Sequence, residues 1–260
     1  YSQLQGKPCP GVVTGKPIEL GGSRGRNSAT GRGVVISTKL LLAKEGKNLD
    51  EIKVVIQGMG NVGSITAKLL HREGMKIIAV SDVSGGICNP EGLNVPAILD
   101  YLSLNRKNLL KDYNEEGMSR ITNEELLEMD ARVLVPAALE NQINASNAHK
   151  IRAEIIVEAA NGPVAADADG ILQERGITVV PDILANAGGV VVSYFEWVQN
   201  IQSVSWTEEE VNEKLKDIMD PAFEAVWDIA KRQNATLRTG AYLIAVKRVV
   251  EAKAARAIWP

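Results

Sequence analysis

The chain has 260 residues, of which 45% are hydrophobic and 23% charged, with a formal net charge of −3. A chain this long buries about 70–75% of its unfolded surface, so its core needs neither metal nor disulfide, and its two cysteines, Cys9 and Cys88, suit a reducing cytoplasm. It carries no basic block or basic–aromatic stripe for nucleic acid and no apolar run of the roughly 18 residues a membrane span needs.

Tyr1 stands where a Met would, and no signal-peptide pattern precedes it, so the sequence reads as a piece of a longer polypeptide. Residues 1–23 hold Pro8, Pro10, Pro17 and Gly21-Gly22 and read as an irregular segment. From about Asn27 to Ala43, apolar residues recur at helical spacing (Ala29, Val34, Val35, Leu41, Leu42), and Gly46 and Asn48 end the run. Thr30-Gly31-Arg32-Gly33 is odd inside a helix, because each interior glycine costs about 1 kcal/mol relative to alanine. Close approach of a ligand and close approach of another helix both explain it.

The next stretch organises the chain. Lys53 to Gln57 contains a continuous β-branched run that suits a strand covered on both faces. Gly58-Met59-Gly60-Asn61-Val62-Gly63 follows at once in GxGxxG spacing and leads into a helix from Ser64. Gly58 permits the tight turn, Gly60 lets backbone approach a pyrophosphate, and Gly63 lets helix sit close on strand. Phosphates would lie against the free N–H groups at the helix start, at the positive end of its dipole. A second apolar strand, Ile77 to Val80, ends at Ser81-Asp82, and Asp82 lies near the spacing of an acid that binds ribose hydroxyls. Strand, glycine turn, helix, strand and acid are in the order that a dinucleotide fold requires; a plain βα turn with a surface aspartate lacks that reason for the order.

Gly85-Gly86 reads as a turn, Pro96 to Leu104 as a helix, and residues 105–120 as a solvated excursion. Thr122 and Glu125 form a capping box. Strands are expected near 132–135, 155–158 and 177–180, with a helix from about Ala165 to Arg175. Helices separate most of these strands, which gives an α/β, Rossmann-type, doubly wound, mostly parallel sheet with additional C-terminal helices. Ligands then lie beyond the carboxyl ends of the strands, near Gly58 to Val62, Asp82, Ala137, Asn161 and Asn186. A helix opens near Asn186, Thr207 caps another with Glu210, and a last one runs from about Thr239 to Ala255. Trp197, Trp206, Trp227 and Trp259 read as packing residues, and the final 60 residues show no evident chemistry. His71 and His149 have no spaced partner, so no metal site is expected.

Pro10 to Pro17, Gly21-Gly22-Ser23-Arg24-Gly25-Arg26, Ala29-Thr30-Gly31-Arg32-Gly33, Asn161-Gly162-Pro163 and the stretch Asn186 to Trp197 together resemble the glutamate dehydrogenases, within the glutamate/leucine/phenylalanine/valine dehydrogenase family. The resemblance runs almost end to end. It implies reversible conversion of L-glutamate, water and NAD(P)⁺ to 2-oxoglutarate, ammonia and NAD(P)H, in an enzyme with an N-terminal substrate domain and a C-terminal cofactor domain. This chain corresponds to the latter: residues 1–26 as crossover segment, 27–200 as dinucleotide-binding domain and 201–260 as a helical segment. The substrate domain of the family supplies a glycine- and lysine-rich motif with the catalytic lysine and a proton-shuttling aspartate. Neither motif is present here, so no catalytic residue is assigned and the chain alone is expected to be inactive.

The same resemblance places Gly58, Gly60, Asn61, Val62 and Gly63 at the pyrophosphate, Asp82 at the ribose, and Ala137 among the cofactor contacts. It places Arg26 and Thr30 beside the nicotinamide half, which would account for the odd glycines, and Asn161 and Asn186 near the nicotinamide and its ribose. Ser193 matches a serine that holds the substrate's side-chain carboxylate, with Val190 one turn earlier; a helix serine bonded to its own backbone is the alternative. An ionised Asp82 about 4 Å from a 2′-phosphate would repel it by about 4 kcal/mol per charge pair at an effective dielectric of 20, which favours NAD, although NADP is used by relatives with an acid here. The family commonly forms hexamers. A non-catalytic dinucleotide module, or the cofactor domain of a branched-chain or aromatic amino-acid dehydrogenase, are the alternatives.

Overall fold

The structure, a computed structural model, describes residues 1–256, so Trp259 lies outside the described residues. Short helix α1 (Ser2–Gln5) and two single 3₁₀ turns, Pro10–Val12 and Ile18–Leu20, lead to α2 (Arg26–Lys44), so residues 1–23 are less irregular than their Pro and Gly content suggests. Then come β1 (Lys53–Gln57), α3 (Asn61–Arg72), β2 (Lys76–Asp82), β3 (Gly85–Cys88), α4 (Val95–Leu104), β4 (Ser119–Ile121) and α5 (Asn123–Leu127). The second half continues with β5 (Val133–Pro136), β6 (Ile155–Val157), α6 (Ala166–Glu174), β7 (Thr178–Val180) and α7 (Asp182–Ala185). The last helices are α8 (Gly188–Gln202), α9 (Glu208–Gln233) and α10 (Leu237–Ala255). None is long and apolar enough to cross a membrane.

One seven-stranded sheet has the order β4-β3-β2-β1-β5-β6-β7. The five strands from β2 to β7 run parallel, and β3 and β4 add an antiparallel edge. The apolar runs are continuous because both faces are covered. Val54 and Ile56 pack with α2, α3 and α9, whereas Val55 between them packs with α5 and α6. A register shift after Val54 lets Ile77 and Val80 join the first face and Ile78 and Ala79 the second.

The edge hairpin corrects two expectations. Gly85-Gly86 is strand, and the turn is Val83-Ser84, the two-residue loop between the paired Asp82 and Gly85. A Cβ on Gly86 would lie 2.9 Å from Ile121 Cγ1, so the glycine that suggests a turn is instead what lets β3 and β4 pair closely. The stretch 105–120 is also no loose excursion. It contains the 3₁₀ turn Leu110–Asp112 with Leu110 fully buried, and the Arg120 guanidinium ties it down by donating to Leu110 O and Tyr113 O. Both capping boxes form as expected, Thr122 with Glu125 and Thr207 with Glu210.

Helix α2 is the hub against which α3, α7, α8 and α9 pack, and its glycines explain how. A Cβ at Gly31 would sit 2.7 Å from Ile65 Cγ2 of α3, and one at Gly33 would sit 2.9 Å from Ala185 O and 3.0 Å from Gly188 N. Helix–helix contact therefore accounts for the odd glycines. From the other side, a Cβ at Gly188 would fall 2.2 Å from Ala29 O.

These contacts set the sign of two alanine substitutions. Gly170 lies in α6 with nothing within 4 Å of its Cβ position, so Gly170→Ala should stabilise by about 0.5–1 kcal/mol through helix propensity. Gly188→Ala should destabilise by about 1–3 kcal/mol, because rigid backbone has to move. Urea titrations of the two variants check this, and equal shifts of the same sign would contradict it.

Candidate dinucleotide-binding site

The turn after β1 follows from three steric facts. Gly58 has φ 94°, the left-handed region, and its Cβ position is 3.0 Å from Ala137 O. The Cβ position of Gly63 is 1.8 Å from Gly58 O, so no side chain fits there. Gly60 has nothing within 4 Å of its Cβ position, so its side is open. The N-terminus of α3 carries no side-chain cap, leaving its first N–H groups, on Asn61 and Val62, beside that open surface. An uncapped helix end behind a glycine with empty space beside it fits a pyrophosphate. The Asn61 side chain faces elsewhere, donating to Asn27 O of α2 at 3.0 Å. Ala137 follows β5 and donates to Gln57 O at 2.8 Å, placing it beside Gly58.

Asp82 ends β2 next to this turn, since Gly58 N donates to Ser81 O at 2.9 Å. Its carboxylate already has partners. Oδ1 accepts from Ser84 N at 2.7 Å and Ser84 Oγ at 2.5 Å, and Oδ2 accepts from Leu110 N at 2.7 Å. Asp82 therefore closes the β2–β3 hairpin and anchors the Leu110 turn, where the Lys111 N–H also donates to Ser84 Oγ at 3.1 Å.

A second cluster joins α2 to α8. Arg26 Nε donates to Ser193 Oγ at 2.9 Å, so Ser193 is not occupied by its own helix backbone. Thr30 Oγ1 lies 2.5 Å from the Cβ position of Gly189, another close glycine contact. Val190 is 69% exposed and starts an exposed apolar stripe with Tyr194, Trp197 and Ile201, in which Trp197 stacks on Tyr194 beside the Gly11 turn. Trp206 and Trp227 do pack, against Phe195 and Phe223.

The third cluster lies beyond β6. Asn186, the C-cap of α7, donates from Nδ2 to Asn161 Oδ1 at 2.8 Å and to Ala160 O at 3.2 Å. Sequence reasoning missed what stands behind these two. Glu158 is fully buried and accepts from Asp182 N at 2.7 Å and Val164 N at 3.3 Å. Arg238 of α10 reaches it with a two-pronged contact, donating at 2.8 and 3.1 Å. Burial pushes the Glu158 carboxyl above the usual range, and the Arg238 guanidinium opposes this only in part. The last 60 residues thus contribute an ion pair to the loop after β6 that the sequence did not show. The available signal was an acid directly after an apolar strand, which requires a buried counter-charge.

Residues 21–257 match the family described as Glutamate/Leucine/Phenylalanine/Valine dehydrogenase. The chain belongs to this family. It is 49% identical over 252 residues to the catabolic NAD-specific glutamate dehydrogenase RocG of Bacillus subtilis, covering 97% of this chain and 58% of that protein. It is 47% identical to the NADP-specific glutamate dehydrogenase A1 of Halobacterium salinarum, covering 100% of this chain and 62% of that one. Among solved structures, the hetero-hexameric glutamate dehydrogenase of Thermus thermophilus in its Leu-bound form superposes with a TM-score of 0.91 at 36% identity. That superposition covers 100% of this chain and 61% of the other. The chain thus spans about three-fifths of these glutamate dehydrogenases.

One further buried acid was missed. Glu196 of α8 is fully buried and accepts from Lys16 Nζ at 2.5 Å and Gly15 N at 3.0 Å, fastening the N-terminal segment to the helix that carries Ser193. Burial alone would raise its carboxyl, but the Lys16 ammonium and the Gly15 and Lys16 N–H groups outweigh this and hold it below the ordinary value. A depressed carboxylate stabilises the fold above its unfolded pKa of about 4.3, and that stability is lost as pH falls through the lower folded value. Hydrogen exchange at the Gly15 amide should stay slow at neutral pH and lose protection below about pH 4. In Glu196→Gln, protection should be weak and independent of pH. A Glu196→Gln variant as well protected at neutral pH as the parent chain would contradict the assignment.

Proposed function

We propose that this chain is the dinucleotide-binding part of a glutamate dehydrogenase. In the whole protein, L-glutamate, water and NAD(P)⁺ would give 2-oxoglutarate, ammonia and NAD(P)H, reversibly. The observation that carries this is the uncapped α3 N-terminus behind Gly60, in a chain of this family. Residues 27–200 form the binding domain, 1–26 the crossover segment and 201–260 its helical support. The whole protein is read as a cytoplasmic homo-oligomer of six subunits, the subunit number but not the mixed composition of the hetero-hexameric Thermus relative, though the chain alone should assemble more weakly.

The roles divide along the sheet. The N–H groups at the start of α3, with Gly58, Gly60 and Gly63, hold the pyrophosphate. Asp82, fixed by Ser84 and Leu110, stands by the adenosine ribose. Ala137 joins the cofactor contacts beside the Gly58 turn, and Asn161 and Asn186 line the nicotinamide half together with Arg26 and Thr30. Ser193 and Val190 take the substrate's side chain, and Arg26 orients the Ser193 hydroxyl. The bound dinucleotide supplies the hydride acceptor, and these residues orient it and its partner, a large share of any rate gain. Because the chain contains no glycine- and lysine-rich catalytic motif, binding without turnover is expected. The carboxylate of Asp82 disfavours a 2′-phosphate, so NAD is preferred.

Calorimetric titration with NAD and NADP, with glutamate turnover assayed on the same sample, tests this reading. Selective NAD binding without turnover is expected, and steady glutamate-dependent NADH production would refute the inactivity. Gly60→Val should abolish binding while changing stability by less than about 1 kcal/mol, because the added side chain meets only the open surface. Retained NAD affinity in that variant would place the cofactor elsewhere.

A further inference from the structure

The ion cluster around Arg238 joins the buried Glu158 to Asp169 of α6 and Asp182 of α7, and two of these three acids hold one loop. Residues 158–163 follow β6, on the half of the sheet opposite the β1–β2 ribose end. In a doubly wound sheet the second nucleotide half lies beyond such carboxyl ends. The loop is pinned at several points. The Glu158 carboxylate accepts from Asp182 N and Val164 N, and Asp182 Oδ2 accepts from Gly162 N at 2.8 Å. Asn186, just beyond Asp182 on α7, holds Asn161 and Ala160.

Every one of these acceptors is acidic or neutral, and Arg238 is the cation that faces them. Its Nη1 and Nη2 engage both oxygens of Glu158, its Nε lies 2.8 Å from Asp169 Oδ2 as an off-axis ion pair, and Nη1 lies 3.9 Å from Asp182 Oδ1. A carboxylate as buried as Glu158 cannot stay charged and unpaired. Without the guanidinium it would protonate, which leaves one strong acceptor oxygen for two amides that now use one oxygen each, or turn outward, which releases both; each loosens the hold on Asp182 and Val164 and with it the geometry of Asn161 and Asn186.

We propose that Arg238, on the C-terminal helix, is a positioning residue for the nicotinamide half of the cofactor site, acting through Glu158 and Asp182 on Asn161 and Asn186. This rests on the dinucleotide reading above. It makes α10 part of the support of the site, and it predicts that the two halves of the cofactor respond separately to a change at Arg238.

The test uses the 260-residue chain and two probes. ADP occupies only the adenosine and pyrophosphate end, whereas NADH also reports on its ring through the change in dihydronicotinamide fluorescence on binding. Arg238→Met should weaken NADH by about tenfold or more and remove its fluorescence change, as small misplacements near a reacting centre do, while ADP affinity stays within about twofold. Arg238→Lys, which keeps charge but not the fork, should recover part of the signal. A parallel loss of ADP and NADH would show a merely structural role and overturn the proposal, as would no change in either. Should Arg238→Met fail to fold, Asp182→Ala decides, since it removes the acceptor of Gly162 N, together with the Ile183 N contact and the outlying 3.9 Å partner of Arg238, and leaves the Glu158–Arg238 pair in place. Selective loss of the NADH signal supports the proposal and an unchanged signal overturns it. Binding of neither probe by the unaltered chain would sink the dinucleotide reading itself, before any substitution is compared.

Discussion

The oxygen of Gly58 occupies the place where any side chain at position 63 would begin, and this contact governs the site. It brings the first turn of α3 down onto the end of β1, so that the helix N–H groups open directly above the sheet. A single methyl group on Gly63 would push the helix away and separate the two halves of the anion site. The left-handed turn at Gly58 and the open flank at Gly60 have meaning only because this approach is so close.

The same device repeats around α2. Gly31 admits α3, and Gly33 interlocks with Gly188 so that the start of α8 lies against Ala29. Helices that touch through backbone cannot slide or rotate as freely as helices separated by side chains, so the glycine turn, Arg26 and Ser193 are parts of one rigid frame. Glycine here sacrifices about 1 kcal/mol of propensity at each helix position, and the close packing offsets it.

Charge fixes what steric fit leaves free. Glu196 and Glu158 are fully buried carboxylates, and each draws in a distant segment: Lys16 from the N-terminal stretch and Arg238 from α10. Taking such groups out of water is costly, and one missing partner is worse than losing both. These pairs therefore specify where the ends of the chain lie more than they add net stability.

The sequence by itself determined the five parallel strands, the capping boxes, the glycine turn and the family, because each rests on local spacing: β-branched runs, S/T-x-x-E boxes and glycines at fixed offsets. It misjudged Gly85-Gly86 and residues 105–120, because an edge hairpin is defined by its partner strand and not by its own composition. Only the tertiary structure decided that the α2 glycines serve helix contacts, that Asp82 is held by Ser84 and Leu110, and that Arg26 bonds Ser193. Arg238 meets Glu158 across 80 residues of chain. No local pattern encodes such a meeting, since it is set by which surfaces the sheet and helices bring face to face once both are buried.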